Sequence, residues 1–216
     1  GAAYIESVEG TAKIKSEYGS VKVLSLLNPD SRLDVSFGSA EVDKMNNGSL
    51  EINYSSLELV AANDINIESK YSELDLGTIN SATMTVEGGS LEIENIKTFQ
   101  GSSKFSNVDI ANLSGGLNAV VEYGNMDVEL IKAGFSSIEI ENKFSTVNLG
   151  IDKTAGYSVN VQTSFGDFTY PESLATFSNK ITSPTGSSYT GTIGKPGDNG
   201  SKLTVNSAYG GVNVRA

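Results

Sequence analysis

Tyr54-Ser55-Ser56-Leu57-Glu58-Leu59 is followed, 17 residues on, by Tyr71-Ser72-Glu73-Leu74-Asp75-Leu76. The phrase is an aromatic residue, Gly or Ser, a polar residue, then apolar-polar-apolar. It opens at Tyr18, Phe37, Tyr54, Tyr71, Phe105, Tyr123, Phe144, Phe165 and Tyr209, and Gly88 stands in place of the ring in one further copy. From residue 37 to 105 the step is 17 each time, and later steps lengthen to 18 and 21. A fixed period in this range marks a repeat architecture, in which no unit buries its apolar face without its neighbours.

With the aromatic as position 0, apolar residues recur at +3 and +5: Leu57/Leu59, Leu74/Leu76, Leu91/Ile93, Val108/Ile110, Met126/Val128 and Val147/Leu149. They recur at -2 and -4 in Leu50/Ile52, Met84/Val86 and Ala119/Val121, and at +8 in Leu26, Met45, Ala62, Ile79, Ile96, Leu113 and Ile131. Period-two alternation on both flanks predicts two half-buried strands per repeat, and the lone +8 residue a third, shorter side. The small residue at +1 suits a tight corner, where Gly takes a positive backbone dihedral without steric cost; the Ser copies point to a permissive corner.

Two folds use such a pattern. In an antiparallel meander, the Gly-Ser or Gly-Asn steps would be hairpin loops; in a parallel β-helix, each repeat is one coil and matching side chains stack in columns. Some twenty strands exceed what one open sheet reaches, and the +8 site has no place in a hairpin. Position -1 reads Lys70, Glu87, Lys104, Glu122, Lys143, so stacked coils set each charge between two opposites, whereas hairpin pairing would oppose Glu87 to Glu92 and Glu122 to Asp127. The expectation is therefore an all-β, single-stranded parallel β-helix (β-solenoid) of about ten short coils of 17–21 residues. It forms one domain over 1–216, with an N-terminal cap at 1–17 and regular coils at 18–170. Residues 171–200, with three of the four prolines, are expected to form an irregular coil or cap, and 201–216 the last rung.

Composition narrows function mainly by exclusion. A net charge of -11 and only two arginines, Arg32 and Arg215, argue against a nucleic-acid partner, which needs a concentrated basic surface. Without cysteine there are neither disulfides nor thiolate metal sites, and no apolar stretch approaches the roughly 18–20 residues of a membrane helix. Gly1 reads as a remnant of cloning, so contact with a membrane is expected only through a removed N-terminal signal or lipid anchor.

One constellation at +4 stands out: Glu41, Glu58, Asp75, Glu92, Asp109 and Asp127, six acids in consecutive repeats. Stacked at about 4.8 Å, neighbouring charges repel by roughly 0.9 kcal/mol at the dielectric constant of water, a cost a solvated face tolerates. The row is read first as solvent face, then as a contact for a partner or for weakly held calcium. Adjacent rungs would match the carboxyl separation of a retaining glycosidase, but six equivalent positions lack the cleft and unlike environments that catalysis needs. No catalytic residue, resident metal or cofactor is assigned. The position-0 rings share the parity of the buried side and are expected in core or corner packing, not sugar stacking. Phe135, Tyr157, Tyr170, Phe177 and Tyr189 lie outside that position and are the better ligand-contact candidates. Asp198, in the Gly-rich stretch 197–200, is one acid alone.

The repeated corner-strand phrase, the acidic ladders and the ending from Gly191-Thr192-Ile193-Gly194 to Leu203-Thr204-Val205 and Tyr209-Gly210-Gly211-Val212-Asn213-Val214 resemble the bacterial adhesin-type β-solenoid families. These include the GIN head domain and auto-transporter adhesin heads. The resemblance implies a right-handed β-helix, an exported protein of the periplasm, outer-membrane surface or extracellular space, and a non-enzymatic adhesive role. The expected partner is an unidentified protein or glycan met along an extended face; the alternative is a carbohydrate-binding or polysaccharide-active β-helix.

Overall fold

A computed structural model describes residues 1–195 and 200–216. Its strands stack in parallel, each position lying on the equivalent position of the next phrase. Ala40 pairs with Leu57, Val42 with Leu59 and Lys44 with Ala61; farther on, Val108 pairs with Met126, and Met126 with Val147. Consecutive turns of the chain from Ser56 to Glu122 are continuous in strand conformation. The backbone N–H of Glu73 donates to the carbonyl of Ser55, a step of about one phrase. This parallel register excludes the meander.

The columns read from the sequence form the core. Leu57, Leu74 and Leu91 at +3 and Leu59, Leu76 and Ile93 at +5 are all buried, as are Ile52 and Val86 at -2 and Leu26, Met45, Ile79, Ile96, Leu113 and Ile131 at +8. Each fully buried Leu, Ile or Val contributes about 1.5–3 kcal/mol. Every rung repeats that contribution, so stability accumulates by stacking. The solenoid has about eight turns instead of the ten expected. Beyond Thr169 the chain leaves the parallel stack for an antiparallel cap, so the last phrases do not each add a complete coil.

Longer coils keep the same core by adding a turn on the third side. Gly134 takes a positive φ of 84°, and the following Phe135 fills the widened interior, its ring 5.6 Å from that of Tyr157. The next coil turns at Asp152, whose carboxylate accepts from the Thr154 N–H (2.8 Å) and hydroxyl (2.7 Å).

The N-terminal cap and the last rung differ from the sequence expectation. Residues 1–17 do not form a separate cap: Ala2–Val8 and Lys13–Glu17 pair in parallel with Ser20–Leu26 and Ser31–Ser36 as an ordinary first rung. The residues expected as the last rung are not last in space. Lys202–Ala208 is inserted between Ser137–Lys143 and Tyr157–Ser164, parallel to both, and Gly211–Arg215 lies between Thr146–Ile151 and Phe168–Thr169. The terminal cover is a hairpin, Ala175–Ser183 with Gly186–Ile193, whose inner strand runs antiparallel to Tyr157–Ser164. An antiparallel strand ends the parallel stack and shields the core, as a solenoid end requires.

Candidate functional site

The corner sets the surface geometry. At nine corners the aromatic residue itself, not the small residue after it, takes the left-handed conformation, with φ between 51° and 56°. That corrects the placement of the positive dihedral at +1, and a bulky left-handed residue makes the corner strained where a permissive one was expected. The residue at +1 is small because it faces the stack. A Cβ on Gly38 would lie 1.9 Å from the Gly19 carbonyl oxygen. Where Ser occupies +1, its hydroxyl serves the corner: Ser55 Oγ donates to the Asn53 carbonyl (2.7 Å) and accepts from the Gly38 N–H (3.1 Å).

A left-handed residue throws the ring outward, so the expectation from buried-side parity fails. The corner rings are 47 % (Tyr123) to 74 % (Tyr18) exposed. They stack face to face in spatial order, Tyr18–Phe37–Tyr54–Tyr71 and Phe105–Tyr123–Phe144–Tyr209–Phe165, with centroids 4.9–5.2 Å apart. A left-handed bulky residue costs about 1–2 kcal/mol, and a stacked pair returns about 0.5–1.5 kcal/mol, so the ladder offsets part of its own strain. Ring faces inside each stack are covered by neighbouring rings, leaving the edges to solvent. The -1 column beside them pairs as stacking requires, Lys70 with Glu87 at 3.9 Å and Lys143 with Glu122 at 3.3 Å, while the Lys104 ammonium lies 5.5 Å from the Phe105 ring centre.

On the other side of the corner lies the acidic row. Glu41 pairs with Glu58 and Asp109 with Asp127 across adjacent strands, so the structure brings these carboxylates into one column. The row runs along two adjoining concavities of ≈ 820 and ≈ 540 Å³ that share Asp75 and Glu92. The first also holds Glu73, and the second Glu94 and Glu129, which widen the acidic floor beyond the six residues of the row. Two cations bracket it. Lys22 forms an ion pair with Glu41, and the Arg215 guanidinium donates to Asp127 at 2.9 Å.

The carboxylates are not equivalent. Partial burial, and then the charge of Asp127, holds the Asp109 carboxyl above its ordinary range, while Asp127 has Arg215 as a counter-charge. Lys22 could be assigned from its place at +4 of the first phrase. Arg215 could not, because its approach to Asp127 depends on where the C-terminal rung inserts. Among the described residues no group of three or more His, Cys, Asp or Glu side chains converges on a point that could hold a metal ion. Neighbouring carboxylates in a column are too few, and too nearly collinear, for a calcium shell.

The five aromatic ligand-contact candidates are packing residues. Phe135, Tyr157 and Tyr189 are buried, and Tyr170 and Phe177 join Phe168 and Tyr189 in a cluster beneath the hairpin, with centroids 4.9–5.7 Å apart. Burial drives the Tyr157 phenol well above its ordinary pKa. Asp198 lies outside the described residues.

Parallel coils in register over most of the chain agree with its descent: residues 24–215 match the model of the family described as Toastrack DUF4097. The chain belongs to the Toastrack family. No curated protein and no solved structure matches it. For this Toastrack chain the adhesin-type resemblance therefore stands at the level of a β-solenoid family. Among the described residues no helix is long and apolar enough to cross a membrane.

Proposed function

We propose that this Toastrack solenoid is a non-enzymatic protein of the cell envelope or cell surface that holds an extended, cationic partner along its acidic face, in the manner of an adhesin. The observation that supports this reading is the continuous acidic floor from Glu41 to Asp127, set in a groove spanning several rungs. Repetition suits extended, multivalent contact, in which each rung adds a small increment and the sum is strong. The chain's export follows from that role. An array of glycans and matrix proteins, probed with and without calcium, tests it. Replacing Glu58, Asp75, Glu92 and Asp109 together by Gln or Asn is expected to abolish binding; unchanged binding returns the row to plain solvent face.

One observation favours a second reading, a polysaccharide-active groove. Asp109 and Asp127 are neighbours in unlike surroundings, one carboxyl raised toward the protonated form and the other paired with Arg215, and such a division is what an acid and a nucleophile need. Against it, the corner rings present edges, not free faces, to a sugar. Release of reducing ends from acidic or neutral polysaccharides, lost in Asp109→Asn, would replace the first reading by this one.

A further inference from the structure

The ring ladder has one gap. At the rung between Tyr71 and Phe105 the corner is Gly88, with φ 70°, followed by Gly89 with φ 97°. Gly88 is left-handed like the nine aromatic corners, but the positive φ of Gly89 is shared by no other residue at +1, so this corner turns in its own way and carries no ring. Tyr71 and Phe105 are two rungs apart, about 9.6 Å at the spacing of about 4.8 Å between strands. A planar ring set midway would lie about 4.8 Å from each, close to the 4.9–5.2 Å pitch already present in the ladder.

The rings on either side respond to the gap. The Tyr54–Tyr71 pair is tilted by 20° and the Phe105–Tyr123 pair by 18°, while the other five stacked pairs deviate by only 4–7°. Tyr71 leans toward the empty corner, since a Cβ on Gly88 would lie 2.6 Å from its Cδ1. A flexible side chain makes that approach, so an incoming ring can push it back to the pitch of the stack. The gap also adjoins the acidic groove, whose first concavity includes Ser90 and Glu92 on the rung of Gly88 and Glu73 on the rung of Tyr71. An aromatic ring entering the gap would carry its flanking residues over that floor.

We propose that the Gly88 rung is a receptor slot for one aromatic side chain, Phe, Tyr or Trp, presented by a basic extended segment of a partner protein. The slot completes the ladder, gaining one stacking contact on Tyr71 and one on Phe105, where the incoming ring displaces the Lys104 ammonium that lies 5.5 Å from the Phe105 ring centre, and the acidic row holds the cationic flanks. This rests on the groove reading above and adds its anchor point.

The chain contains no tryptophan, so a Trp-bearing peptide reports its own capture by fluorescence. Acetylated Lys-Lys-Trp-Lys-Lys and Lys-Lys-Ala-Lys-Lys amides are titrated against the full chain, the latter by calorimetry. The Trp peptide is expected to bind at least tenfold more tightly, with a blue shift in emission. Gly88→Phe, which supplies the ring the other corners carry, is expected to erase that preference and leave the Ala peptide's affinity unchanged. Tyr71→Leu, which removes one wall, is expected to weaken the preference without filling the slot, and covers the case in which Gly88→Phe fails to fold. Equal affinities for the two peptides, or a preference that survives in the variants, overturn the slot alone. Binding of neither peptide overturns the groove reading and the slot with it. Displacement of the Trp peptide by neutral oligosaccharides overturns the aromatic assignment in favour of a glycan.

Discussion

The Arg215 guanidinium reaches past the rung of Asn148 and Gly150 to donate to Asp127 at 2.9 Å, joining residues 88 apart in the chain. The pair fixes the C-terminal rung against the acidic row from outside, while Val212 and Val214 fix it from within. Both side chains are about a third exposed or more, and exposed pairs contribute about 0–1 kcal/mol. Arg215→Ala is therefore expected to lower unfolding free energy by less than about 1 kcal/mol. Chemical denaturation in low and high salt checks this, and a larger loss would mean that the contact organises the rung.

Packing of the same rung is a far greater contribution. Leu203 is 1 % exposed and stacks between Ile138 and Val159. Leu203→Ala is expected to cost about 2–5 kcal/mol, the range for a cavity in a tight core. Thermal and denaturant unfolding followed by circular dichroism measure it. A cost below about 1 kcal/mol would show that the neighbouring rungs close over the cavity.

Corner strain and ring stacking can be separated at Tyr54, which has φ 51° and stacks on both Phe37 and Tyr71. Tyr54→Ala removes both stacked pairs and keeps the left-handed strain. Tyr54→Gly removes the pairs and relieves the strain. The Gly variant is therefore expected to be the more stable of the two by about 1 kcal/mol, although Gly normally loses to Ala in strands. Equilibrium unfolding of the two variants decides the sign.

Asp109 provides a pH signature. Its folded carboxyl holds its proton to higher pH than the unfolded one, because burial and the Asp127 charge disfavour ionisation. The folded state then binds more protons across that window, so this group's contribution to stability falls as pH rises through it. Asp109→Asn is expected to match the parent near pH 3 and to melt at higher temperature than the parent at pH 7. Melting curves at the two pH values test it; a variant less stable at pH 7 would show that the ionised carboxylate is a net stabiliser.

The core was legible because a coil repeats its inward positions at every turn, so Leu57, Leu74 and Leu91 declare one column without reference to distant partners. The corner was legible only in part. Apolar residues sit at even positions before the ring, as in Leu50 and Ile52, and at odd positions after it, as in Leu57 and Leu59. That change of parity means that one residue at the corner leaves the strand alternation. It marked the outward turn of Tyr54, but period-two counting carried past the corner placed the ring inside. The acid row was legible as a column; its groove was not, since concavity depends on how three sides meet. Nor was the position of Leu203–Val214, because that phrase fits the ladder equally well at any rung.

The inserted rung has a consequence for how the molecule is made. Residues 202–208 are synthesised after both strands that flank them, yet they fill an interior place between the two. A nascent chain can stack its early coils as they emerge, but it must keep a berth open until this later segment arrives. A product that stops before residue 202 would carry two raw strand borders facing each other, a signal for proteolysis that the inserted strand conceals.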